Sequence, residues 1–190
     1  MSLDIAANRR VAKYSTKEQS LRLLWGAGQL AFRLTPRPLY AVRRAILRAF
    51  GAHVGAAANV SNSARITFPW MLSIGKQAAI GDDAIIYNLG RVAIGARATV
   101  SQHAHLCAGT HDHTDPEMPL LRLPITVEAD AWVCAEAFVG PGIVVGQGAV
   151  VGARAAVFRD VAPWTIVGGN PARVIGQRDI NGQPPKKSDA

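Results

Sequence analysis

The chain has 190 residues, of which 49% are hydrophobic, 6% aromatic and 18% charged. It is too apolar for a disordered polypeptide, has no apolar run of the roughly 20 residues that span a bilayer, and with only Cys107 and Cys134 cannot build a disulfide framework. The net charge of +8 sits in one place: residues 1–50 hold ten Lys/Arg against Asp4 and Glu18, while the other 140 residues balance 11 basic with 11 acidic groups. A neutral body argues against nucleic-acid binding, and leaves the amino-terminal arm as the part that could meet phosphate or an anionic membrane. With no signal peptide at the amino end, the cytoplasm is the expected compartment.

Two helices are predicted in the arm. Residues 21–34 mix leucines with Trp25, Phe32 and only two arginines. Residues 38–50 bring Leu39, Val42, Ile46 and Phe50 near one face and leave Arg43, Arg44 and Arg48 elsewhere, an amphipathic spacing. Pro36 and Pro38 separate the two, and Gly51 ends the second. Residues 1–52 thus read as a basic, largely helical extension. It is either a helical cap over the end of the body or an interfacial helix that holds the protein near lipid-linked substrates, and both can hold together.

A period of six governs the next hundred residues. An aliphatic side chain recurs at Val54, Val60, Ile66, at Ile74, Ile80, Ile86, and at Ile94, Val100, Leu106. After a gap the phase resumes at Val127, Val133, Val139, then Val145, Val151, Val157. Glycine often follows the aliphatic, as at Gly55, Gly75 and Gly95, and a small residue stands four positions on, as at Ala58, Ala78 and Ala98. No helix has this period. A coil of three short strands, about 18 residues per turn, does, and stacked coils make a parallel β-solenoid. The aliphatics point inward, each worth about 1.5–3 kcal/mol when fully buried. Five coils at about 4.8 Å each make a prism about 24 Å tall. Residues 53–176 form this domain, and residues 177–190 read as a frayed tail.

Grouping the hexads by threes isolates one irregular face. The departures Trp70, Gly90 and Ile143 fall on the third face, and so does a long excursion over 112–126. Local rules break where function is built, so the site is expected there. Asn88 and His111 are neighbours in adjacent coils on this face, and a histidine beside a loop suits a general base, worth 10²–10⁴ in rate as a rough range. His53 reads as a surface residue, and His103 and His105 as solvent- or subunit-facing. His103, His105, His111 and His113 form two H-x-H pairs, so zinc has to be weighed, though no cysteine or carboxylate spacing is distinctive for a metal. Cys107 and Cys134 each follow an inward aliphatic and read as packing.

The six-residue pattern matches the hexapeptide repeat. The stretches 107–116 (CAGTHDHTDP), 124–127, 131–133 and 139–142 resemble the maltose and galactoside O-acetyltransferases. Tyr87-Asn88-Leu89-Gly90, Ser101-Gln102 and 148–158 (GAVVGARAAVF) bring the chain closer to the colanic-acid-type exopolysaccharide acetyltransferases. Residues 167–175 (VGGNPARVI) are similar to the carboxy-terminal signature of these enzymes, and the resemblance covers about 37–176.

The resemblance implies a left-handed parallel β-helix, a homotrimer, acetyl-CoA as donor without a metal, and a sugar or lipid-linked oligosaccharide as acceptor. It implies His111 as base and Asn88 as the residue that orients the acceptor, with Tyr87 and Asp112 beside it. Trp132 would lie along the pantetheine arm. The Ala135 amide would bind the thioester oxygen as charge develops, and Ala153 would contact pantetheine through its backbone. Arg159 and Arg173 would meet the phosphates, with Phe158 at the adenine end. Phe158 replaces a common Thr, and Cys134 and Ala135 stand where a Gly and a small or polar residue are usual. No nucleophilic Ser or Cys is indicated, so transfer is expected to be direct; Asp112 and Asp115 both stay open as orienters of His111. Three other readings remain: a zinc enzyme of the carbonic-anhydrase kind on the same solenoid, a non-catalytic solenoid that serves as a trimeric scaffold, and an acetyltransferase for an amine or antibiotic.

Overall fold

The computed structural model describes residues 3–180. Three helices, α1 (Ile5–Arg10), α2 (Thr16–Leu34) and α3 (Tyr40–Ala49), precede a parallel β-helix. Its first face stacks His53–Val54, Leu72–Ile74, Val92–Ile94, Ile125–Val127 and Val144–Val145. The second stacks Asn59–Val60, Ala79–Ile80, Thr99–Val100, Trp132–Val133, Val150–Val151 and Thr165–Gly168. The third stacks Arg65–Ile66, Ile85–Tyr87, His105–Cys107, Phe138–Val139 and Ala156–Val157. A sixth coil begins with Val161 and the strand Thr165–Gly168, and Arg173–Gln177 folds back on it antiparallel. Every one of the fifteen hexad aliphatics is buried.

Small residues are required for two different reasons. Ala58, Ala78, Ala98 and Ala149 point into the prism where two faces meet and are 0% exposed. The glycines after the aliphatics are set by crowding: a Cβ on Gly75 would stand 2.4 Å from the Ala96 nitrogen in the next coil. The sharp turn itself falls two residues later, at left-handed residues that are mostly not glycine, such as Gln77, Arg97 and Asp130.

The arm is a cap, and its arginines complete the solenoid's hydrogen bonding. In the second coil the carbonyls of Ile74, Ala78, Ile80 and Ile86 accept from N–H groups of the first coil. Their first-coil counterparts, Val54, Ala58, Val60 and Ile66, have no coil before them. Arg48 donates to Val54 (2.9 Å), Arg44 to Ala58 (3.0 Å), Arg43 to Val60 (2.7 Å) and the Trp25 indole to Ile66 (2.9 Å). Four side chains thus stand in for the N–H groups of a missing coil, which is the accounting that buried backbone demands.

This corrects part of the face expected on α3: Ile46 and Phe50 pack against the core, Leu39 and Val42 do not. Leu39 and Val42 are 46% and 45% exposed, while Arg43 is 0% exposed and also donates to the carbonyls of Thr35, Pro36 and Arg37. Helix α2 begins earlier than the apolar run suggested, because Ser15 and Glu18 form a capping box. Among the described residues no helix is long and apolar enough to cross a membrane.

The remaining corrections are at the boundaries. The excursion closes sooner than position 126, since Ile125–Val127 is a regular first-face strand paired on both sides. At the carboxy end the Arg178 side chain bonds the carbonyls of Asp130 and Gly148 (2.7 and 3.1 Å), so the ordered chain continues past 177. Of the expected tail, residues 181–190 lie outside the described residues.

Candidate active site

The excursion leaves the third face as a hairpin in which Thr110–His111 pairs with Leu120–Leu121. His111 Nδ1 lies 2.6 Å from the Met118 carbonyl oxygen. A carbonyl only accepts, so Nδ1 carries the hydrogen and Nε2 keeps its lone pair, the tautomer a base needs. Neither aspartate orients the ring. Asp112 accepts from the Thr114 amide and hydroxyl (2.9 and 2.6 Å), which holds its carboxyl below the usual carboxylate range, and Asp115 accepts from the Glu117 amide.

Asn88 is 0% exposed and both ends of its amide hold the backbone of one residue, Phe68. The Phe68 N–H donates to Oδ1 (2.9 Å), and Nδ2 donates to the Phe68 carbonyl (2.5 Å). Phe68 stacks on Trp70 and meets the edge of Tyr14, whose ring also lies under Arg22 (4.1 Å) and near Arg122 (5.1 Å). Tyr87 is 38% exposed on the outer side of the same sheet, beside Cys107 of the next coil, and burial pushes its phenol up. The amino-terminal segment thus packs on Phe68 and, through Arg122, on the returning side of the hairpin that carries His111. Tyr14, Arg22, Arg122 and Met118 were not singled out in the sequence; the Ser15-x-x-Glu18 capping pattern was the available sign that structure begins there.

The donor-side residues form two groups. Ala135 and Ala153 occupy the same corner, between the second and third faces, in consecutive coils; Arg154 N–H donates to the Ala135 carbonyl (3.0 Å). The Ala135 and Ala153 amides themselves bond to no group among the described residues. Trp132 stands on the outer side of the second face, 45% exposed, with its indole N–H on Ser101 Oγ (2.8 Å). Phe158, Arg159 and Arg173 share a cavity of about 380 Å³, whose wall includes Val161, Pro171 and Val174.

The base and the Ala135 amide do not meet within one chain. By register Ala135 stands beside Gln102, at the start of the third face, whereas the hairpin strand Thr110–His111 begins only beyond the far end of that face's strand His105–Cys107.

The four histidines also separate. His103 sits on a corner turn with a left-handed backbone, and His105 lies on the outer side of the third face, edge-on to Phe138. Among the described residues no group of three or more His, Cys, Asp or Glu could hold a metal ion. Burial pushes the Cys134 thiol up, away from thiolate chemistry.

A parallel β-helix built from hexads places the chain among the hexapeptide-repeat proteins. No family model matches the chain. It is 39% identical over 158 residues to WcaF of Escherichia coli (strain K12), named as a colanic acid biosynthesis acetyltransferase, across 83% of this chain and 87% of that one. It superimposes with a TM-score of 0.81 on a hexapeptide-repeat acetyltransferase of Vibrio cholerae complexed with acetyl coenzyme A, at 22% identity over 90% of this chain and 93% of that one. A maltose O-acetyltransferase of Clostridium difficile gives 0.80 at 23% identity over 87% and 90%. The chain belongs to the WcaF family of acetyltransferases, built on the left-handed parallel β-helix.

Proposed function

We propose that this acetyltransferase moves an acetyl group from acetyl-CoA to a sugar hydroxyl of a cell-surface polysaccharide or its lipid-linked precursor, with His111 as general base. The observation that carries this is the tethered imidazole: His111 sits at the root of the excursion, protonated at Nδ1 by its bond to Met118 and basic at Nε2. Nε2 takes the hydroxyl proton as the oxygen attacks the thioester carbon. The carbonyl oxygen gathers charge against the Ala135 N–H. Collapse expels the thiolate of coenzyme A, which recovers the proton from the imidazolium, leaving an acetyl ester and free coenzyme A. The amides of Ala135 and Ala153, unpaired among the described residues, line the pantetheine path with Trp132, and the cavity of Phe158, Arg159 and Arg173 takes the nucleotide end, its guanidiniums suited to phosphate. Asn88 acts through Phe68, whose backbone N–H and carbonyl it clamps, and so shapes the acceptor wall that Tyr87 lines; Asp112 shapes the hairpin.

Since base and amide stand at opposite ends of one face, a complete site takes His111 from one copy and Ala135 from the next, which fits a homotrimer with three shared sites. The enzyme works at the cytoplasmic side of a membrane. Leu23, Leu24, Leu30 and Leu34 leave the outer side of α2 60–81% exposed, and Lys17 and Arg33 flank that face, the makeup of a helix that rests on an anionic bilayer surface.

The test is calorimetric titration with acetyl-CoA together with turnover on a sugar acceptor. We expect one site per chain, and for His111→Ala at least about 100-fold lower turnover with acetyl-CoA affinity kept. Near-normal turnover in that variant overturns the assignment.

A further inference from the structure

The excursion is held by the chain's own amino-terminal segment, and the contacts converge on the carbonyl that orients the base. Asp4 N–H donates to the Pro116 carbonyl (2.8 Å). Asn8 Nδ2 donates to the carbonyls of Glu117 (2.7 Å) and Met118 (2.5 Å). Lys13 Nζ donates to Asn8 Oδ1 (2.7 Å), which settles which end of the Asn8 amide faces the hairpin. Arg122, on the returning side of the hairpin, donates to the Lys13 carbonyl and to Glu18 Oε1 (2.5 and 2.9 Å). One oxygen, that of Met118, thus receives both the Asn8 amide and His111 Nδ1.

Met118 has a left-handed backbone, φ 46°, a conformation uncommon for a side chain of its kind. The peptide after such a residue needs something to fix where its carbonyl points. Both groups that do so are donors, and only one of them, Asn8, is outside the hairpin.

We infer that Asn8 is a positioning residue for the general base: it fixes the Met118 carbonyl, and through it the tautomer and aim of His111, so that helix α1 is a working part of the active site. The inference rests on His111 being the base. Without Asn8 the Met118 carbonyl loses its donor from outside the hairpin; Met118 N–H on the Asp115 carbonyl and Asp112 N–H on the Pro119 carbonyl still hold the turn, so the carbonyl shifts rather than swings away, the hydrogen is held less firmly on Nδ1, and the Nε2–H tautomer gains population. Misaim of a reacting group by about 1 Å costs on the order of 100-fold in rate, so partial loss of this tether is expected to cost about tenfold.

The experiment uses the full-length enzyme with Asn8→Ala and Asn8→Asp. Alanine removes both donors; aspartate keeps the shape but turns an acceptor towards two carbonyls. Turnover is expected to fall about tenfold with alanine and at least as far with aspartate, while acetyl-CoA affinity stays within about twofold. The defining readout is the ¹⁵N spectrum of His111: wild type shows the Nδ1–H tautomer, and both variants show an increased Nε2–H fraction. A purely structural role for α1 would lower the melting temperature and leave the tautomer alone, and that result overturns the inference. So does an aspartate variant with wild-type turnover. If His111→Ala itself keeps its turnover, the base assignment has failed, a different result from an Asn8 variant that is silent in an enzyme that needs His111.

Discussion

A methyl group added at Gly75 would lie 2.4 Å from the Ala96 nitrogen and 2.6 Å from the Gly95 carbonyl carbon, whereas at Gly26, on α2, nothing lies within 4 Å. The two positions should therefore respond in opposite directions. Gly75→Ala forces adjacent coils apart and is expected to destabilise by about 3 kcal/mol or more, since the colliding atoms are backbone and cannot move aside alone. Gly26→Ala is expected to stabilise by about 0.5–1 kcal/mol through helix propensity. Urea denaturation of both variants checks the pair. This logic was legible in the sequence as a glycine that recurs after the inward aliphatic. What the sequence did not reveal is that contact between coils, not turn geometry, sets the requirement, because the left-handed positions carry charged and polar residues instead.

At the scale of elements, the cap is held by donors. Arg43 supplies four hydrogen bonds, to Val60, Thr35, Pro36 and Arg37, from a fully buried position. Arg43→Leu removes a donor from each of those carbonyls, of which Pro36 keeps the Leu39 N–H, and is expected to cost about 3–5 kcal/mol, read as a lower denaturation midpoint. Two ion pairs fasten the cap's edges. Asp82 is held below the usual carboxylate range by Arg37 and then by Ser61, and Glu18 by the Ser15 amide and then by Arg122. Both folded values are lowered, so their stabilisation is present above the unfolded carboxylate pKa of about 4 and is lost as pH falls through the folded values. The melting temperature should stay level down to about pH 5 and drop below about pH 4, less steeply in Asp82→Asn. Periodicity located both long helices but only half of the inward face of α3: Ile46 and Phe50 pack against the core, while Leu39 and Val42 are exposed and Arg43 is buried. A buried arginine that caps carbonyls is indistinguishable from a solvated one in a pattern of apolar residues. Helix α1 has no apolar stripe and no buried residue, so it left no signal.

For the whole molecule, the hexad rule carried the architecture: fifteen positions chosen by phase are fifteen buried side chains, and the irregular face is the one from which the hairpin leaves. The candidate site was less legible. His111 was readable as a histidine beside an excursion. Its orienting partner was not, because a backbone carbonyl has no residue type, and the aspartates that attracted attention are engaged in local turns. The outer side of α2 adds a prediction at this scale. Sedimentation with vesicles rich in phosphatidylglycerol should fall at least about tenfold in a Leu23→Gln/Leu30→Gln variant, as apolar burial and basic flanks act together. No sedimentation of the wild type would remove the membrane contact, and a variant that no longer assembles would mark the leucines as an interface between copies.

The central claim is an acetyl-transfer site completed between two copies, with His111 from one and the Ala135 amide from the other. Co-expressing His111→Ala with Ala135→Pro tests it most directly, since proline removes the N–H while keeping the chain continuous. Each variant alone should be nearly inactive. Each mixed trimer has one interface in three that pairs an intact His111 with an intact Ala135, and about three quarters of randomly assembled trimers are mixed, so about a quarter of wild-type turnover should return. Mixed trimers that form and stay as inactive as either parent would contradict the account, because both groups would then have to act within a single chain.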